Sequence, residues 1–409
     1  MSNPIKITAK ISLPEDFEFG AVDHSPITAR AAAVLPSTPP LGPLVHFVGT
    51  WIGSGFNTIF RPDNTKSASS MKLPIPLPPG DNLLELNLTS ETLTFSKSLG
   101  SVPNRGLATQ ADAFLNGVPY LQAINDVTTP GQAVGIHVEP GIWIAVPATT
   151  APAEGPTLVR MASIPHGTTI EAQGTFSTAP GGPSIPAVDI TPFLTPPTGI
   201  PSDPQPRLPK FPSQTAASNN TARIPQDLSA FIAAGTLTQA MLDNPNSVLQ
   251  DHINQQTIIK TTTISVSTQP ASPPVIAGAP TFGGGTDNIA FLLGDGTQPV
   301  AANPNAQALQ MTATFWIETV EHTIEVPIFT PGQPPLLLRP STILAGQHVP
   351  TFSVTPPTEI TAPLKIKVRS TQIQYSQTVL LNFNTLTWPH VSVATLVPAE
   401  PILVPASAF

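Results

Sequence analysis

The chain has 409 residues, of which 10% are charged, 40% hydrophobic and 52 are proline; the formal net charge is −8 and there is no cysteine. An acidic balance without a basic run excludes a nucleic-acid partner, which needs a cationic stripe to displace counterions, and the missing cysteine excludes disulfides, thiolate metal sites and thiol nucleophiles. Proline is kept out of helix interiors and central strands, so the expected structure is short strands joined by rigid turns around a sizeable core.

Residues 1–43 form a mixed, proline-rich arm without the apolar stretch of a secretory signal. No run reaches the roughly 18 apolar residues of a membrane span, and the expectation is a soluble, cytoplasmic protein with no membrane partner. The stretch "FVGTWIGSGFNTIFRP" (47–62) reads as an opening strand in which Trp51 plugs the base of a small barrel while glycines let backbones approach. In "LLELNLTSETLTFSKSLG", Leu84, Leu86 and Leu88 share one parity and Leu93 and Phe95 the other, predicting a hairpin that turns at "TSE".

"GIHVEPGIWIAVP" (135–147) sets His137 two residues before Glu139, then a Pro-Gly break and Trp143. His137 reads either as a cavity residue or as a surface histidine paired with Glu139. His166, on a tight Pro-His-Gly turn, reads as a solvated turn residue or, if a rim loop folds over a pocket, as an acid–base group. Residues 180–305 read as an insertion: a polyproline connector, two short helices starting near Asp227 and at Thr236, and a "FGGGTDN" break at 282–288.

Beyond it, "MTATFWIETVEHTIEV" switches parity from Met311, Ala313, Phe315 and Ile317 to Val320, His322, Ile324 and Val326, which predicts a turn or bulge near Thr319. "LKIKVRSTQIQYSQTVLLNF" switches likewise, from Ile366 and Val368 to Ile373, Tyr375, Val379, Leu381 and Phe383. His322 reads as an exposed partner of Glu321. Other chemistries lack their residues: the glycines at 283–285 are followed by Thr286 and Asp287 rather than the Lys-Ser/Thr of a phosphate loop. No Gly-x-Ser-x-Gly and no closely spaced histidine pair for zinc occurs. His24, His46, His252 and His348 stand in no partner pattern.

Six of these pieces, in their order, resemble the nitrobindin family of haem-binding barrels. They are Gly49, Thr50, Trp51, Gly53 and Gly55; Phe95 and Gly100; Tyr120 and Gln122; His137, Glu139, Gly141 and Trp143; Gln173, Gly174 and Phe176; and Pro389 with His390. Roughly 44–62, 92–176 and 310–395 are covered, while 177–309 and the N-terminal arm have no counterpart. The segment after His390 also departs, being strand-like and without a basic residue where the family is helical and basic.

The resemblance implies an all-β fold, an up-and-down antiparallel barrel of about ten strands with a long proline-rich, partly helical insertion. Its divisions are an arm at 1–43, barrel strands at 44–179, the insertion at 180–305 and closing strands at 306–409. Leu93, Phe95, Tyr120, Ile142 and Leu381 are expected to line the bore. The implied cofactor is b-type haem, five-coordinate through His390, with His137, Ile136, Leu380 and Trp51 around it and His137 and His166 as catalytic groups.

The implied activity is on nitrogen oxides, peroxide or a small organic substrate, as an isomerase, peroxidase or dehydratase. The insertion would lie against or over the barrel mouth. The alternatives are a metal-free carrier of a small apolar ligand and a structural or interaction protein.

Overall fold

The computed structural model describes residues 38–63, 81–151, 153–195, 206–268, 285–289, 292, 305–341 and 348–409. The N-terminal arm as far as residue 37 and the start of the 282–288 break lie outside the described residues.

Ten long strands follow one another around a closed antiparallel barrel. They are β1 (Gly49–Asp63), β2 (Asp81–Phe95), β3 (Ala113–Asp126), β4 (Val134–Val146), β5 (Thr157–Ile164), β6 (Thr168–Pro180), β7 (Thr257–Ser267), β8 (Gln307–Val326), β9 (Leu364–Phe383) and β10 (Leu386–Pro398). The ring closes where β10 returns to β1, from Thr58↔Val391 to Trp51↔Pro398. Closure satisfies every strand edge that an open sheet would leave unpaired. The backbones of β1 and β10 approach so closely that a Cβ on Gly53 would lie 2.0 Å from Thr395 O, and one on Gly55 2.1 Å from Val393 O. That contact is the reason for the glycine spacing in "GTWIGSG".

One end of the bore is packed shut. A 3₁₀ turn at Gly42–His46 tucks Leu44 and Phe47 beneath the strands, both with no exposed surface. Phe47 stacks on Phe95 at 4.6 Å and meets Trp143 edge-on at 5.6 Å, while Phe315 stacks on Tyr375 at 5.3 Å. Trp51 donates its Nε1–H to Phe47 O at 2.6 Å, so it does plug the barrel base.

A second core lies outside the barrel. Phe56, Phe60, Leu84, Leu86, Val391 and Val393 point outward and, together with Trp388 beside Phe60 at 5.0 Å, belong to one core with Ile185, Ile190, Leu228, Leu237, Leu242, Leu249 and Ile253. Three helices carry part of that core: α1 (Ser229–Ala234), α2 (Gln239–Asp243) and α3 (Ser247–Ile253). The expected starts are present. Asp227 Oδ1 accepts from Ser229 N at 2.8 Å, and Thr238 caps α2. The insertion is fastened by Arg223, fully buried, which donates to the carbonyls of Ser213, Thr215, Ser218, Pro225 and Gln226. A third core sits past the closed end, where β8 and β9 outrun the barrel and Ile324, Val326, Ile366 and Val368 pack on Phe329, Phe352 and Val354.

These outer cores correct several expectations. No hairpin turns at "TSE": β2 is one strand paired with β1 from Asp63↔Asp81 to Gly49↔Phe95. Its parity changes because Leu84 and Leu86 are buried on the outer face and Leu93 and Phe95 in the bore. No bulge lies at Thr319 in the β8–β9 ladder, which runs without a shift from Gln310 to Val326. The irregularity falls on β7 between Ile258 and Lys260, opposite Val320 and Thr319.

His322 is not an exposed partner of Glu321. Its Nε2 meets Ser370 Oγ at 2.8 Å and its ring faces Phe352 at 5.6 Å, whereas Glu321 pairs with Lys367 at 2.6 Å. The stretch 180–305 contains β7, a barrel strand, and Gly285–Asn288, which pairs with β6 from Glu171 to Thr168, while its helices and the residues of the second core pack on the outer wall. None of them lines the cavity at the open end, so the insertion does not close that mouth among the described residues.

Candidate functional site

Above the aromatic base the bore holds a layer of buried polar groups. Alternation along each strand puts them there: Glu91 follows Phe95 and Leu93 inward on β2, and Gln122 follows Tyr120 on β3. Glu139 is fully buried between Arg160 Nη2 at 2.6 Å, the Tyr120 hydroxyl and His137 Nε2 at 3.2 Å. Arg160 also donates to Tyr120 Oη at 2.9 Å and Gln377 Oε1 at 2.6 Å, with Trp143 and Phe315 about its guanidinium. Burial works to raise the Glu139 carboxyl, but the Arg160 charge and the His137 and Tyr120 hydrogen bonds bring it down to about 2. The Tyr120 ring occupies the space where a Cβ of Gly141 would stand, 2.5 Å away, which explains the glycine in "HVEPGIW".

Over this floor opens a cavity of about 380 Å³. Its walls are mostly aliphatic: Ile59, Ile124, Ile136, Ile164, Ile170, Val379 and Leu381. Three imidazoles face into it. His390 stands on β10, His137 on β4 and His166 on the turn between β5 and β6. Around the ring β4 lies four strands from β10 in one direction and six in the other, so His137 and His166 face His390 across the bore. The His137 and His166 rings are 5.8 Å apart.

His390 Nε2 lies 2.7 Å from Asn57 Nδ2, and Asn57 also donates to Ser392 Oγ at 2.7 Å and accepts from Asn87 Nδ2 at 3.2 Å. Because the amide nitrogen donates, Nε2 is the ring's lone-pair nitrogen. Burial, reinforced by His137 and His166, lowers His390 to about 3, so the ring is uncharged at neutral pH. His166 is lowered too, by burial and by His137.

The three histidines and Ile136 singled out in the sequence thus come together on one cavity. The other two cofactor residues do not. Trp51 belongs to the closed base, a whole polar layer below. Leu380 points outward beside Trp316, because only the odd residues of β9, Tyr375 to Leu381, face the bore. Ile142 is corrected for the same reason: on β4 the inward set is His137, Glu139, Gly141 and Trp143.

His390 does not follow the last strand either. It lies within β10, after a hairpin at Asn384 and Thr385 whose φ values are 50° and 63°. Pro389 is tolerated there because β1 pairs with β10 only as far as Val391, leaving no partner for the missing N–H. Glu91, Arg160, Asn57 and Tyr375 were missed by sequence reasoning. Inward parity beside Trp51, Leu93 and Trp143 was the available signal.

No protein-family model matches the chain, and no curated protein matches it. Among solved structures, the crystal structure of Rv2717c from M. tuberculosis aligns over 89% of this chain and 99% of its own, at 10% identity and a TM-score of 0.31. The resemblance to the nitrobindins is one of motif order in the sequence. Among the described residues, no group of three or more His, Asp or Glu side chains could hold a metal ion, and no helix is long and apolar enough to cross a membrane.

Proposed function

We propose that the cavity binds b-type haem, which His390 would hold through its imidazole, with His137 and His166 lining the same cavity. The observation that carries this reading is the pairing of one buried, uncharged imidazole with two others across an aliphatic bore. The residues fit the group, since a haem iron is commonly held by a single neutral imidazole in an apolar pocket. When bound, haem supplies a Lewis-acidic iron with an open position, suited to nitrogen oxides, peroxide or a small organic substrate.

The chain's own residues supply the rest. Ile59, Ile124, Ile164 and Val379 exclude water; Glu139 orients the His137 ring through Oε2 at 3.2 Å; His166, uncharged at neutral pH, is able to accept a proton at the rim. Titration of the purified chain with haemin, followed by visible absorption, tests the reading. A Soret band that disappears in His390→Ala supports it, and a band indifferent to that change rejects it.

A second reading is favoured by Asn57, which already occupies His390 Nε2, and by a volume near the lower end of the roughly 300–1,000 Å³ of small-molecule sites. On that reading the barrel carries a compact apolar ligand without metal. A chain that stays colourless with haemin yet binds a fluorescent lipid would establish it.

A further inference from the structure

Glu91 is buried beneath the cavity and belongs to neither reading. Its Oε1 accepts from Gln122 Nε2 and its Oε2 from the Tyr375 hydroxyl at 2.7 Å, while Gln122 Nε2 also reaches Tyr375 Oη at 3.2 Å. Gln122 and Tyr375 both line the cavity and Glu91 does not. The carboxyl is therefore one hydroxyl removed from whatever the cavity holds. Across the β1 ladder it faces only Gly53, and the other titratable groups acting on it are His137 and Glu139 from β4.

We propose that Glu91 and Tyr375 form a proton-transfer site in the cavity floor, with Tyr375 Oη exchanging protons with the bound molecule on one side and with the Glu91 carboxyl on the other. The orientation of the hydrogen bonds sets the direction. With Glu91 ionised, the Tyr375 proton points at the carboxylate and the phenol turns a lone pair to the cavity. A ligand O–H or N–H then gives its proton to Tyr375 Oη as the phenol's own proton passes to Glu91 Oε2. The ligand is left deprotonated, the tyrosine neutral, and the carboxylate becomes a carboxylic acid.

With Glu91 protonated the chain reverses, and the floor offers a donor instead of an acceptor. Burial raises the Glu91 carboxyl to about 7, against the pull of its two hydrogen bonds, so both forms are populated near neutrality. Burial and the Glu91 charge push the Tyr375 phenol up, so it relays as a neutral group. The ligand class implied is a compact, largely apolar molecule with one ionisable O–H or N–H.

Infrared difference spectra of the full chain from about pH 5 to about pH 9 test this without any ligand. In a Glu318→Gln background, which removes the other carboxyl that burial raises into this range, a protonated-carboxyl band with its midpoint near 7 is expected, lost when Glu91→Gln is added. Tyr375→Phe removes one oxygen and should keep the band while slowing its exchange on mixing with D₂O by on the order of 10²-fold, the size of effect a positioned proton-transfer group makes. A band that survives Glu91→Gln, or exchange at the parent rate in Tyr375→Phe, overturns the assignment. Tyr375→Phe decides alone if Glu91→Gln does not fold. Failure of haem binding would leave the result standing, so the two readings fail separately.

Discussion

The two halves of the bore are built from the same strands and do opposite things. β10 contributes Leu396 and Ala394 to the closed half and Ser392 and His390 to the open half; β4 contributes Trp143 below and His137 above. Below, aromatic rings 4.6 to 5.6 Å apart fill the space and take the hydrophobic gain. Above, aliphatic walls surround about 380 Å³ that no side chain fills. Between them lies a sheet of buried charge and amide. Stability and binding are thus stacked along one axis, and the polar layer that separates them is where a substitution should hurt both.

Arg160→Met should have the largest effect, since it leaves the Glu139 carboxylate buried without its cation. A loss of about 3–5 kcal/mol in denaturant unfolding is expected, and an unchanged midpoint would show the two halves to be independent. Next comes the outer wall against the bore on neighbouring residues. Leu380→Ala opens a hole under the insertion and should cost about 3 kcal/mol while leaving cavity ligands unaffected. Leu381→Ala enlarges the cavity and should cost about 1 kcal/mol while changing ligand affinity. Equal behaviour of the pair would contradict the parity assigned to β9.

The pH profile follows from buried groups in both regions. Burial lowers His252, His322 and His390 from 6.5 to about 4, 4 and 3, so stability is lost as pH falls below 6.5. Burial raises Glu91 and Glu318 from 4.5 to about 7 and about 8, so stability falls as pH rises through those values. These imidazoles, with His46 and His166 lowered in the same direction, outweigh the two carboxyls below 6.5, and the carboxyls act above it. Unfolding midpoints in urea should therefore peak near pH 6.5, and Glu318→Gln should flatten the alkaline side. The smallest effect concerns Asn57. Removing its hydrogen bond to His390 Nε2, worth about 1 kcal/mol, should let Asn57→Ala bind haemin about fivefold more tightly in absorption titrations.

Much of the barrel was legible because alternation is a local property. Each inward-facing set, such as Met311 to Ile317, can be read along one strand, and the three cavity histidines stood on motifs that marked them out. The errors have one cause. At "TSE", at Thr319 and at Leu380 the reading assumed that only one face of a strand is buried, whereas the outer wall is covered too. A continuous strand whose buried face changes looks, in sequence, like a turn.

Alternation and glycine spacing determined by themselves that this chain is a series of half-buried antiparallel strands, since those features act between neighbours, whereas a closed barrel was what the family resemblance implied and the pairing of β10 with β1 decided. Only the tertiary structure decided that the insertion lies on the wall, that Glu139 is a buried anion, and that Glu91 sits under the cavity. Burial and pairing depend on what crosses the bore from strands hundreds of residues apart: Glu91 meets Tyr375 across 284 positions of chain. No local pattern encodes which carboxylate keeps its water and which must find a partner.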